Sequence, residues 1–132
     1  MNGILLDTSA YSGMARGNKG VLDAVQTAEN VCVNPIIIGE LLAGFAQGNR
    51  EPHNIEILER FLESPRCILL PLGKESARRY AHIQSSLRTA GTPVPTNDLW
   101  IAATAMEHGL VVVTLDKHFA KIPQIICRLC DA

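Results

Sequence analysis

The stretch VVVTLD, residues 111–116, decides the fold class of this chain. Its three consecutive valines favour a strand, and a run that is apolar at every position is typical of strands buried on both faces of a parallel sheet. Parallel strands need long crossover connections, usually helices, between them. The stretch therefore predicts an α/β protein, in which Asp116 lies just beyond the carboxyl end of its strand.

Short apolar runs alternate with helical patterns through the rest of the 132 residues. Further strands are predicted at residues 3–6, 31–33, 67–70 and 125–127. Helices are predicted at residues 8–14, 19–28, 35–47, 55–64, 74–90 and 98–108, with residues 50–53 as a polar connector. Asn34-Pro35 is typical of a helix start, and Thr96-Asn97 are predicted to cap the last long helix. This alternation predicts an α/β sandwich with a mainly parallel sheet and right-handed crossovers.

The composition predicts one globular domain spanning residues 1–132. Hydrophobic residues make up 47% and charged residues 19% of the chain, which excludes intrinsic disorder and a coiled coil. No apolar run approaches the 18 or so residues that span a bilayer, and the first residues lack the basic region of a secretory signal. We therefore expect a soluble, cytoplasmic protein without a membrane partner. The four cysteines do not suggest a disulfide framework, because Cys32 and Cys67 lie within apolar runs.

Four acidic residues occupy positions at or after the predicted strand ends, where ligands bind in open α/β folds. They are Asp7, Glu40, Asp98 and Asp116. Asp7 and Asp116 could instead be turn or N-cap residues, and Asp98 could simply favour the helix dipole. Glu40 is harder to explain structurally, because its neighbours three and four positions away are apolar or small. No Lys or Arg lies within four residues of it to form an ion pair.

Carboxylates gathered at one edge of a sheet repel one another, and a divalent cation relieves that repulsion. Oxygen ligands of this kind suit Mg²⁺, and Mn²⁺ accepts similar donors. Because none of the four positions is His or Cys, Zn²⁺ is disfavoured. Such ions can activate water and stabilise the leaving oxygen of a phosphodiester. The four acids therefore predict a Mg²⁺ or Mn²⁺ site suited to phosphodiester hydrolysis.

Four segments carry a resemblance to a known family. They are LLDTS at residues 5–9, IGEL at 38–41, NDLWIAA at 97–103 and VTLD at 113–116, with Phe119 following. In order and spacing the chain resembles PIN-domain ribonucleases, particularly the VapC-type toxins of bacterial toxin-antitoxin pairs. The resemblance implies a three-layer α/β sandwich with a central five-stranded sheet.

The resemblance also implies an activity, a site and partners. The activity would be that of a Mg²⁺- or Mn²⁺-dependent endoribonuclease that uses a metal-activated water. Metal ligation would fall on Asp7, Glu40, Asp98 and Asp116. The hydroxyl groups of Thr8, Ser9 and Thr114 would support that site by hydrogen bonds. The implied partners are an RNA substrate, a cognate antitoxin protein and a second copy of the chain.

Two alternatives remain open at this point. One is a phosphotransfer or phosphatase domain that uses Asp7, although Ser9 stands where a haloacid-dehalogenase site has a second Asp. The other is a catalytically silent α/β binding module, for which loss of one or more of the acids would be typical.

The net charge of −1 argues at first against a nucleic-acid partner. Without the four candidate ligands, however, nine acids remain against twelve basic side chains. The four histidines are interpreted as ordinary surface residues: His53, His82, His108 and His118.

Overall fold

A computed structural model describes residues 2–132. Its strands are β1 (Gly3–Leu6), β2 (Asn30–Val33), β3 (Cys67–Leu69), β4 (Val111–Thr114) and β5 (Ile126–Leu129). Its α-helices are α1 (Thr8–Ala15), α2 (Lys19–Thr27), α3 (Pro35–Ala46), α4 (Glu51–Glu63), α5 (Lys74–Ala90) and α6 (Thr96–His108). A short 3₁₀ helix, Lys117–Lys121, follows β4. Within residues 2–132 no helix combines the length and the hydropathy needed to cross a membrane.

The five strands form one sheet in the order β3-β2-β1-β4-β5, and every pairing is parallel. In the register of the central strands, Leu5 lies beside Cys32 on one side and Val112 on the other. The predicted α/β fold with a five-stranded parallel sheet is confirmed.

The central strands are covered on both faces. Successive residues of a strand point to opposite faces, yet Leu5 and Leu6 both have no exposed surface, and the same is true of Val112 and Val113. Each such side chain contributes roughly 1.5–3 kcal/mol of hydrophobic stabilisation. The valine run therefore forms a buried central strand, as its composition predicts.

The strand order places a crevice beyond the carboxyl ends of β1 and β4. From β1 the chain proceeds to β2 and β3 on one side of the sheet, whereas β4 continues to β5 on the other side. Ligands bind at such a switch point in open α/β sheets. Asp7 and Asp116 follow these two strands, so both acids lie at the crevice.

Most element boundaries agree with the sequence prediction to within one residue, and three elements differ by more. Residues 51–53 are the first turn of α4 and not a connector, since Pro52 is tolerated near a helix start and Glu51 favours the positive end of the dipole. Helix α6 begins at Thr96 after Pro95 and has no side-chain cap, so the predicted capping by Thr96 and Asn97 is wrong. The last strand runs from Ile126 to Leu129, later than predicted.

Helix α5 has the predicted extent. Its sequence pattern predicts Ala77, Tyr80, Ala81 and Ile83 or Leu87 on the inward face; Ile83 and Leu87 are buried, whereas Ala77 and Ala81 are exposed and Ser76 is buried instead. Ser76 tolerates burial because its hydroxyl donates to Glu107 of α6 at 2.7 Å and accepts from the backbone N–H of Gly73.

Candidate functional site

Asp7 is held at the end of β1 by several hydrogen bonds. The carboxylate is almost fully buried and is the N-cap of α1, where Oδ1 accepts from the backbone N–H of Ala10 at 2.8 Å. The hydroxyl of Ser9 donates to Oδ1 at 2.8 Å, and that of Thr114 donates to Oδ2 at 2.6 Å. Burial raises the pKa of Asp7, while these hydrogen bonds oppose the rise. Asp7 is therefore both the N-cap of α1 and one of the acids at this edge of the sheet, so the two interpretations are compatible.

Thr114 connects the ends of the two central strands. Its Oγ1 donates to Asp7 and accepts from the backbone N–H of Asp116 at 2.8 Å. The hydroxyl of Ser9 in turn accepts from the backbone N–H of Leu115 at 3.0 Å. The turn after β4 is thus fixed relative to the turn after β1, and this sets where Asp116 lies.

Glu40 enters the site from α3. Its Oε1 accepts from the hydroxyl of Thr8 at 2.6 Å, and its Oε2 accepts from the side-chain amide of Asn97 at 3.2 Å. The helix itself is positioned by buried Asn34, which caps α3 and donates to the hydroxyl of Thr104 in α6 at 2.9 Å. Helices α3 and α6, which carry Glu40 and Asp98, are therefore tied together.

Asp98, Asp116 and His118 form the most compact group of the site. Each offers a side-chain atom that lies within 4.8 Å of those of the other two. The Nδ1 atom of His118 is 3.1 Å from Oδ1 of Asp116 and 3.5 Å from Oδ2 of Asp98. Asp116 is the N-cap of the 3₁₀ helix and accepts from the backbone N–H of His118 at 2.9 Å, which turns the imidazole towards the acids.

The pKa of Asp98 reports how closely the acids lie together. Burial raises it most, and the negative charges of Asp116, Glu40 and Asp7 raise it further, so that it reaches about 6. His118 acts in the opposite direction. All four predicted acids therefore act on one another at this edge of the sheet, with Asp98 and Asp116 in the closest group.

The three predicted supporting hydroxyls all contact the acids, since Thr8 contacts Glu40 and both Ser9 and Thr114 contact Asp7. Sequence reasoning missed two residues. His118, interpreted from the sequence as an ordinary surface histidine, is partly exposed but lies beside Asp98 and Asp116. Asn97 contacts Glu40 where a helix cap was predicted. A usable signal for His118 was its place two residues after Asp116, within one turn of a capped helix.

The donor set of this site fits a divalent cation. Four carboxylates and one imidazole surround the crevice, and within residues 2–132 no Lys or Arg forms an ion pair with any of the four acids. Like charges that no side-chain cation neutralises are relieved by a bound metal ion or by protons. The carboxylates could hold a metal and position it against an anionic substrate.

Known proteins that are similar to this chain also indicate a nuclease. The PIN domain family matches residues 4–125. Ribonuclease VapC of Rickettsia bellii is 33% identical over 126 residues, covering 93% of this chain and 92% of the relative. The DNA-bound VapBC of Salmonella typhimurium superimposes with a TM-score of 0.84 at 27% identity, covering 97% of this chain and 98% of that chain.

A third similarity concerns the fold alone. VapBC-5 of Mycobacterium tuberculosis, a member of the VapBC family of toxin-antitoxin systems, superimposes with a TM-score of 0.76 at 24% identity and with full coverage of both chains. The ribonuclease relatives favour the nuclease over the phosphotransfer and silent-module alternatives. With the family matched over almost the whole chain, this protein belongs to the PIN-domain family and, within it, to the VapC ribonuclease toxins.

Proposed function

We propose that residues 1–132 act as one PIN-like domain that cuts RNA endonucleolytically with Mg²⁺ or Mn²⁺ held by Asp7, Glu40, Asp98 and Asp116. The observation that carries this proposal is the group of four acids, which have no Lys or Arg ion-pair partner within the described residues 2–132; burial and the neighbouring acids together raise the pKa of Asp98 to about 6. Proteins tolerate such repulsion at functional sites, where it creates affinity for a cation. Oxygen donors favour Mg²⁺ and Mn²⁺ over softer ions.

The residues of the chain have distinct tasks in this proposal. When bound, the cation supplies an activated water and stabilises charge on the leaving oxygen of the phosphodiester. Thr114 and Ser9 orient Asp7, while Thr8 and Asn97 fix the two oxygens of Glu40. Outside the four acids the chain carries more basic than acidic side chains, so a cation-loaded cleft need not repel an RNA backbone.

Cleavage of purified RNAs with mapping of the cut ends tests this proposal. With Mg²⁺ or Mn²⁺ we expect internal cuts that leave 5′-phosphate and 3′-hydroxyl ends, because water and not the 2′-hydroxyl of the RNA is the nucleophile. Excess EDTA should abolish cleavage, and added cation should restore it. Products with 2′,3′-cyclic phosphates, or full activity in EDTA, would contradict the proposal.

We further propose a cognate antitoxin and a second copy of the chain as partners in the cytoplasm, where the RNA substrate is available. The supporting observation for the antitoxin is the similarity to VapBC of Salmonella typhimurium. An Arg or Lys from an antitoxin tail would neutralise the four acids and exclude both cation and RNA.

Two measurements test the partner proposals. Light scattering after size exclusion should give the mass of a dimer, and a stable monomer at micromolar concentration would contradict the second copy. An antitoxin without its C-terminal tail should still bind the chain but inhibit cleavage poorly. Equal inhibition by the full and shortened antitoxin would contradict the proposed role of the tail.

A further inference from the structure

His118 lies beside Asp98 and Asp116, and the proposal of metal ligation by the four acids gives it no task. Nearly half of its side chain is exposed, yet the Nδ1 atom is shielded from solvent and makes no hydrogen bond within the described residues 2–132. The atom lies at ion-pair distance from both Asp116 and Asp98, and it therefore faces the space that these three side chains enclose.

Two of the three spacings among these side chains are close to that of ligands on one ion, and all three ligand atoms lie within 4.8 Å of one another. Neighbouring ligands of an octahedral ion with bonds of about 2.0–2.1 Å are separated by roughly 2.9 Å. The Nδ1 atom of His118 is 3.1 Å from Asp116 Oδ1 and 3.5 Å from Asp98 Oδ2. Small side-chain movements would bring all three atoms to ligand spacing.

We propose that His118 is a nitrogen ligand of the cation site and that it makes the site select Mn²⁺ over Mg²⁺. This inference rests on the metal-dependent function proposed above and refines the identity of the metal. Mg²⁺ takes oxygen ligands almost exclusively. Mn²⁺ also accepts carboxylates, but as a first-row transition ion it binds imidazole nitrogen more readily than Mg²⁺ does. A set of carboxylates with one imidazole therefore favours Mn²⁺ more than carboxylates alone would.

A competing explanation gives a different result. If His118 only supplied positive charge to the acids, its removal would leave them more negative, and both cations would bind more tightly. If His118 is a ligand, its removal weakens Mn²⁺ binding and changes Mg²⁺ binding little. The two explanations therefore predict different ratios of the Mn²⁺ affinity to the Mg²⁺ affinity.

The full chain and Mn²⁺ alone provide the direct test. Pulsed electron paramagnetic resonance of the Mn²⁺ complex should show nitrogen coupling in the wild type and none in His118→Ala. The dissociation constant of Mn²⁺ should rise on the order of tenfold in the variant, while that of Mg²⁺ should change by less than about threefold.

His108→Ala is a matched control. Its Nε2 is likewise buried without a hydrogen bond and is 3.7 Å from a carboxylate oxygen of Glu107. It stands ten residues after Asp98 on α6, or roughly 15 Å along the helix. This variant should keep both the nitrogen coupling and the Mn²⁺ affinity.

Each remaining outcome is decisive. Mn²⁺ binding without nitrogen coupling, or an equal change in affinity for both cations, overturns the role of His118 and leaves the proposed nuclease intact. Failure of both cations to bind overturns the proposed function as well. If His118→Ala does not fold, a variant that replaces His53, His82 and His108 must retain the coupling, and loss of the coupling there overturns the proposal.

Discussion

The two ends of the acidic site differ in how their carboxylates are stabilised. At the β1 end, which comprises Asp7, Ser9 and Thr114, the carboxylate accepts three hydrogen bonds from the protein and caps a helix. The α6 end comprises Asp98, Asp116 and His118. The side chain of Asp98 does not cap helix α6 and has no Lys or Arg partner among residues 2–132, and its pKa is about 6.

This difference shows that a carboxylate of the site can also support the fold when the protein itself supplies its hydrogen-bond donors. At the β1 end the helix cap and the hydrogen bonds contribute to stability, although burial still raises the pKa of Asp7 and so disfavours its ionised form. The α6 end is under electrostatic repulsion in the absence of a cation, so we expect it to decrease stability. The two ends therefore differ in how far the protein's own hydrogen bonds offset the cost of a buried negative charge.

The largest expected effect is on RNA cleavage, and it tests whether the acids at both ends of the site are needed for catalysis. Asp7→Asn and Asp98→Asn should each reduce RNA cleavage at least about 100-fold, because losing even a partner of a metal ligand costs 10–100-fold. Initial rates on one defined RNA give the measurement. Asp23→Asn, which removes an exposed acid paired with Arg128, should remain active. Near-normal cleavage by Asp7→Asn would mean that Asp7 is only a helix cap.

The next effect concerns stability and should have opposite signs at the two ends. In EDTA, Asp7→Ala should lower the unfolding free energy by about 2–3 kcal/mol, because it removes an N-cap and leaves the buried Thr114 hydroxyl without its acceptor. Asp98→Ala should raise it by about 1–2 kcal/mol, since a buried charge among like charges is lost. Urea denaturation measures both, and a shared sign would remove the distinction between the two ends.

A pH titration sharpens the comparison at the α6 end. Folding raises the pKa of Asp98 from 3.8 to about 6, so the folded state takes up a proton before the unfolded state does. The wild type in EDTA should therefore gain about 1–2 kcal/mol relative to Asp98→Ala as the pH falls from 8 to 4, most of it between pH 6 and pH 4, where the folded state holds this proton and the unfolded state does not. A constant difference between the two proteins over this range would show that Asp98 is not perturbed.

The smallest effect concerns the support of Glu40. Asn97→Ala removes one exposed hydrogen bond of 3.2 Å to the Glu40 carboxylate. Because solvent screens this long bond, cleavage should fall only a few-fold, or by about 1 kcal/mol. Asn49→Ala, in the exposed loop between α3 and α4, serves as the control. A loss as large as that of Asp98→Asn would mean that Asn97 contacts the reacting groups themselves.

Local signals explain what could be predicted from the sequence. The valine run of β4 and the Asn34-Pro35 start of α3 carry their structure in a few adjacent residues, and both were predicted correctly. The four acids could be grouped because strand ends of a parallel sheet share one edge.

Other features depend on contacts between distant segments, which no local pattern contains. His118 enters the site only because Asp116 caps a 3₁₀ turn, and Asn97 contacts Glu40 across 57 positions of the chain. The buried face of α5 depends on Ser76 finding Glu107 in α6. From the sequence alone His118 is interpreted as a surface residue and Asn97 as a helix cap, because no local pattern identifies their partners.

The hydrogen bond from Thr114 to Asp7 has a consequence for the order of synthesis. It joins residues 107 positions apart, from the first and the fourth strand of the chain. At about 5–20 residues per second, a ribosome needs roughly 5–20 s to make the intervening segment. During that time Asp7 lacks its neighbouring strand, and neither Asp98 nor Asp116 has been placed beside it. A growing chain therefore cannot assemble this nuclease next to the RNA of the ribosome that makes it until β4 has emerged.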